Sequence, residues 1–204
     1  MPVDKKTILE LVKNYGQPYS EMLGINLKSG KASEITKWFL ASILYAKPIR
    51  ESSATKTYRI FAHAGVTSAK KIVDAGWDRL VELLDKGGYT RYDFSTADKL
   101  LEVFGNLQKR YKGDLNKLYG LASASEDLES RLKDLGKGIG EVTVSIFLRD
   151  LRGIWKKADP EPTPPVKIAA EKLGIKDLKK FAKQERINLV RLESALLRFA
   201  KNIM

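Results

Sequence analysis

Between Leu132 and Gly153 the chain runs LKDLGKGIGEVTVSIFLRDLRG, with Gly136, Gly138 and Gly140 at alternate positions and Lys137 set among them. Glycine at such spacing allows positive φ and lets another backbone approach without a Cβ in the way. Apolar residues recur at helical period on both sides, in one segment ending near Leu135 and another starting near Glu141, so the stretch reads as helix, tight GKGIG turn, helix. Ile139 is then placed to plug the groove between the two helices, and the second helix turns its free first N–H groups toward the turn. Those donors and the helix dipole suit a phosphate oxygen. Such a turn holds a nucleic-acid backbone without reading bases, because phosphate contacts position a protein but carry no sequence information directly. A plain C-cap followed by a tight corner is the competing account of the same glycines.

The charge of the chain bears on the choice. A formal net charge of +12 arises from 37 Lys and Arg against 25 Asp and Glu, and a field of that sign draws in polyanions, nucleic acid first among them. A lysine-rich surface kept for solubility or heat tolerance would give the same total, so clustering matters more than the sum. From Arg131 to Lys157 seven basic residues (Arg131, Lys133, Lys137, Arg149, Arg152, Lys156, Lys157) stand against Asp134, Glu141 and Asp150, and this stretch contains the glycine turn. Cysteine is absent, which excludes disulfides, thiol catalysis, iron–sulfur ligation and Cys-based zinc sites. His63, the only histidine, cannot build a metal site alone. No apolar run is long enough for a bilayer span and the start of the chain lacks a signal-peptide core. A soluble, intracellular protein with no membrane partner is expected.

The elements that must carry the turn are nearly all helical. Apolar period 3.6 predicts helices at 7–15, from an N-cap at Ser33 through a mostly buried segment to about 46, then at 52–63, 68–74 and 77–84. Ser95 opens the next, with Leu100, Leu101, Val103, Phe104 and Leu107 as its apolar face, and others follow at 114–119, 125–135, 141–151, 166–173, 176–184 and 189–202. No period-two strand emerges, so the fold class is all-α. The stretch WKKADPEPTPPVK, with Pro160, Pro162, Pro164 and Pro165, is a stiff extended crossing whose last proline can sit in the first turn of the next helix. Trp38, Trp77 and Trp155 fall at positions that favour the core over a base-stacking platform.

LKDLGKGIGEVTVSIFLRDLRG resembles the hairpin of the helix-hairpin-helix DNA glycosylase superfamily, the endonuclease III group, whose pattern there is L-P-G-[IV]-G-x-x-T-A. The matching residues are Leu135, Gly138, Ile139, Gly140 and Thr143, with one residue of slack, Lys137 where proline is common and Val144 where alanine is common. WFLASILYAKPIRESSATKTYRIF is similar to an early family segment, and VKIAAEKLGI to the helix after the family's catalytic loop. The resemblance spans roughly Trp38 to Ile175, strongest at the hairpin.

What the resemblance implies is a two-lobed helical protein that engages damaged or bent double-stranded DNA in base excision repair. A central six-helix lobe, 33–153, carries the hairpin, and 1–32 plus 154–204 form the second lobe. A target nucleotide is turned out of the duplex into the cleft between lobes, since the glycosidic bond of a stacked base cannot be reached. In such a site the hairpin residues Gly136, Lys137, Gly138, Ile139, Gly140 and Thr143 contact DNA. Lys47 takes the place of the family's polar wedge, and Tyr89, Arg91 and Tyr92, in GGYTRYDFS, form a second loop that enters the duplex. Two tyrosines capping the core and a lysine complementing a helix C-terminus are the plainer readings of those residues. No cofactor is implied, although the hairpin leaves room for a monovalent cation.

The family's chemistry is not matched at its usual positions. The lysine nucleophile of bifunctional members aligns with Val142, and the aspartate that stabilises the charged sugar aligns with Thr163. Asp159 and Glu161, in the proline-rich loop, are the carboxylates within two to four residues of that position, and are the candidate catalytic groups. The expectations left open are a glycosylase, with or without lyase activity; a DNA-binding homologue without catalysis; and an all-α protein-interaction module whose hairpin is coincidental.

Overall fold

A computed structural model of the chain describes residues 4–203, and among them there are helices but no strand. In chain order these are α1 (Lys5–Tyr15), α2 (Tyr19–Met22), a 3-10 turn at Leu27–Ser29, α3 (Ala32–Tyr45), α4 (Glu51–His63), α5 (Ala69–Gly87) and α6 (Asp93–Tyr111). Then come α7 (Leu115–Leu121), α8 (Ser125–Lys133), α9 (Glu141–Leu151), α10 (Pro164–Lys172), α11 (Leu178–Glu185) and α12 (Leu189–Ile203). The protein is all-α, and no helix is long and apolar enough to cross a membrane among the described residues.

Local chemistry accounts for most of the boundaries. Ser68, Asp114 and Asp177 each accept a backbone N–H of the first turn from an N-cap position, so α5, α7 and α11 start where a side chain satisfies an orphan donor. Pro164 and Pro165 occupy the first turn of α10, where the missing N–H goes unused. Two predicted helices, 68–74 and 77–84, run on as α5 with a break at Gly76, whose φ of 70° an L side chain rarely adopts. Ser33 is not an N-cap: α3 already begins at Ala32, after an extended Lys31.

The chain divides into two compact units, Met1–Gly24 with Glu161–Met204, and Ile25–Pro160. The larger unit begins earlier and ends later than the lobe expected at 33–153, because the flanking residues belong to its core. Ile25 and Leu27 are buried, Trp155 stacks on Tyr119 at 4.6 Å, and Ala158 is buried. α3 lies at the centre, with Trp38, Phe39, Leu40, Ile43 and Leu44 all fully buried. Phe39 meets Phe104 of α6 and Phe147 of α9 edge-on, at 5.9 and 4.9 Å, and the Trp38 indole N–H donates to the Phe147 carbonyl at 3.0 Å. These contacts fix α6 and α9, the two helices that bear on the hairpin, against one aromatic core. Trp38 and Trp155 are core residues as expected. Trp77 is not: it is 38% exposed, lies against the exposed Phe94 ring and donates to Asp98.

In the other unit, α12 packs against α1, α10 and α11 through an apolar face on which Leu192, Ala195, Leu196 and Ala200 are fully buried. Arg198 donates to the carbonyls of Tyr15 and Gln17 and sits over the Tyr19 ring at 4.6 Å. One guanidinium thus closes the turn between α1 and α2.

Candidate nucleic-acid interface

The three alternating glycines answer to three different physical demands. Gly136 lies against α6, where a Cβ would come within 2.7 Å of Val103 Cγ2. Gly138 has φ of +85°, and the stem of Lys99 lies across it so that a Cβ would come within 2.7 Å of Lys99 Cε. Gly140, the N-cap of α9, is extended at φ −100° and ψ −176°, a conformation open to any residue, and a Cβ there would meet nothing within 4 Å. Neither backbone nor packing within the protein therefore calls for glycine at 140. In front of it α9 opens with the exposed Glu141 and Val142, in the first turn of a helix where N–H groups have no intrahelical acceptor.

Four side chains on one face of α6 fasten the backbone of the turn. Lys99 Nζ donates to the Gly138 carbonyl at 2.8 Å, and Glu102 Oε1 accepts from the Lys137 N–H at 3.1 Å. Asn106 Nδ2 donates to the Leu135 carbonyl and Arg110 to the Asp134 carbonyl, both at 2.8 Å. The residues follow one another at three- and four-residue steps, the spacing of a single helical face. Asn106 and Arg110 satisfy carbonyls left over at the end of α8, and the four together hold the turn in one shape. Partial burial, and then the neighbouring Lys47 charge, keep the Lys99 ammonium below the usual lysine range. None of the four stands out in the sequence, where α6 is marked by its apolar face; the polar stripe at 99, 102, 106 and 110 was the available signal.

The candidate contact residues fall into two groups. Gly138, Gly140, Lys137 and Arg91 are exposed. Lys47 and Tyr92, partly exposed, are brought together, with the ammonium 5.3 Å from the ring centre. Ile139 is 4% exposed, its N–H returning to the Gly136 carbonyl at 3.2 Å. Burial keeps Ile139 from direct contact with a ligand, and the same correction applies to Thr143, 3% exposed. Tyr89 cannot stack on a base: it is fully buried and its hydroxyl donates to the Leu44 carbonyl. Burial, and secondarily Tyr45, push its phenol above the ordinary tyrosine range.

The basic cluster of 131–157 is also smaller at the surface than its count implied. Arg149 is buried and paired with the buried Asp150 at 2.8 Å, and the Arg152 side chain is 9% exposed beside Asp159. Arg131 is paired with Asp127, and the Lys157 ammonium is spent on the carbonyls of Tyr119 and Ala122. Lys47 and Lys99, by contrast, have no carboxylate partner among the described residues. The Gly138 carbonyl already accepts from the tethered Lys99 ammonium.

In the proline-rich loop Asp159 lies 3.5 Å from Arg152 with its side chain half exposed. Glu161 is paired with Lys167 at 2.9 Å, 82% exposed, on the edge of a depression of about 380 Å³ that Glu171, Lys176 and Lys179 also line. Thr163 is the N-cap of α10, and its hydroxyl oxygen is buried with no hydrogen-bond partner. Among the described residues no group of three or more His, Cys, Asp or Glu could hold a metal ion. No protein-family model, no curated protein and no solved structure matches the chain.

Proposed function

We propose that this protein binds double-stranded DNA through the Gly136–Gly140 hairpin and engages damaged or distorted duplex in base excision repair. One observation carries the reading: α6 braces the turn with four hydrogen bonds, while a Cβ at Gly140, just before the first turn of α9, would meet only open space. A turn held in one conformation presents its N–H donors without further ordering, which favours a phosphate oxygen. The charge of +12 supports a polyanionic partner. Lys47 stacked on Tyr92 supplies a cationic and aromatic pair of the kind that fills a vacated base position.

On this reading cleavage of a glycosidic bond rests on Asp159 or Glu161, because a carboxylate must face the positive charge that develops on the sugar. A second reading, binding without catalysis, is favoured by the state of those groups, each exposed and ion-paired to a cation close by in the chain. Incubation with duplexes bearing a range of lesions, under borohydride, separates the two. Release of free base supports catalysis, and covalent trapping adds a lysine nucleophile. Lesion binding without release leaves the binding homologue. Failure to bind any duplex refutes both.

A further inference from the structure

We propose that Lys99, reaching from α6, is a phosphate ligand of the hairpin. The inference rests on the duplex-binding reading above. Lys99 Nζ spends one of its three N–H groups on the Gly138 carbonyl at 2.8 Å, and the side-chain stem lies across Gly138. The ammonium is thereby anchored at the left-handed residue of the turn, two positions before Gly140, with donors left over. The nearest acidic residue on the same face of α6, Glu102, is engaged by the Lys137 N–H rather than by an ammonium.

The free protein gains little from this arrangement as a charge pair. Neither Lys99 nor Lys47 has a carboxylate partner among the described residues, and the two are close enough for Lys47 to depress the Lys99 ammonium on top of its partial burial. Two like charges that repel each other are relieved by an anion bound beside them. A backbone phosphate fits that description: its oxygens accept from Lys99 and from the turn at once.

The test is the salt dependence of affinity for a short undamaged duplex, measured for the wild type, Lys99→Gln, Lys99→Met, Lys99→Arg and Asn106→Ala. Removing one cation from a phosphate makes the slope of log K against log salt shallower by about 0.9. Lys99→Gln and Lys99→Met are expected to show one such step and a several-fold fall in affinity, although glutamine keeps a donor for the Gly138 carbonyl. Lys99→Arg keeps the charge and the slope. Asn106→Ala breaks another bond to the turn and leaves the slope unchanged. A wild-type slope in both neutral variants overturns the inference, as does an equally shallow slope in Asn106→Ala, which would make bracing the sole role. A wild type with no affinity for duplex would instead refute the function on which the inference rests.

Discussion

Replacing Gly140 by alanine separates folding from binding more cleanly than any other change at the hairpin. Its φ of −100° and ψ of −176° suit an L residue, and a Cβ there meets no atom within 4 Å. Alanine narrows the unfolded ensemble at no cost to the fold, which stabilises a protein by about 0.4–1 kcal/mol. For a chain of this size that corresponds to a rise in Tm of roughly 1–4 °C. On the proposed reading the same Cβ stands in the space left for a phosphate oxygen. Losing one hydrogen bond to a charged group costs about 1.5–3 kcal/mol, so duplex affinity should fall on the order of tenfold to a hundredfold. Gly138→Ala behaves differently: at φ +85°, with the Lys99 stem across it, it destabilises by about 1–2 kcal/mol and weakens binding in part through the fold. Thermal unfolding and fluorescence anisotropy on an undamaged duplex read the two quantities. A Gly140→Ala protein that is as stable as the wild type and binds equally well would refute the placement of phosphate at this turn.

Tyr89→Phe removes a buried hydrogen bond to the Leu44 carbonyl and should cost about 1 kcal/mol in denaturant unfolding, with DNA selectivity unchanged; altered lesion preference would contradict the burial argument. Lys47→Ala and Tyr92→Ala should reduce the preference for mismatched or abasic duplex more than overall affinity, because a mispaired nucleotide costs less to turn out and discrimination falls to the groups that hold the vacated place. Equal weakening on intact duplex in competition binding would mark both as ordinary backbone contacts. If base excision occurs, Asp159→Asn or Glu161→Gln should slow it by roughly a hundredfold or more, in single-turnover release of free base. Excision unaffected by either, together with excision greatly increased by Thr163→Asp, would show that the aligned position no longer carries its carboxylate.

The helical plan was legible in the sequence because apolar period, caps and prolines act locally. α9 begins and ends where its pattern does, and Gly76 breaks α5 where two helices were predicted. Ser33 misled because a good capping residue can ride inside a helix that starts one residue earlier. The glycine turn itself was visible, but its bracing was not. Lys99, Glu102, Asn106 and Arg110 take on their role only once α6 is laid against residues some 24–39 positions further along the chain. Counting charges failed for a related reason. Arg149 and Asp150 neutralise each other inside the core, and Tyr89 turns inward two residues from the exposed Arg91. Which side of a turn faces water depends on packing partners distant in sequence, and no local pattern records it.

The most direct test of the hairpin as a DNA-binding element is to follow backbone amide resonances while a short duplex is titrated in. The account predicts that the amides of Gly138, Gly140, Glu141 and Val142 shift first and saturate together, with Lys99 and Lys47 following the same curve and α11 and α12 unmoved. Shifts concentrated on the lysines of α11, or a hairpin that stays silent while duplex binds, would contradict it.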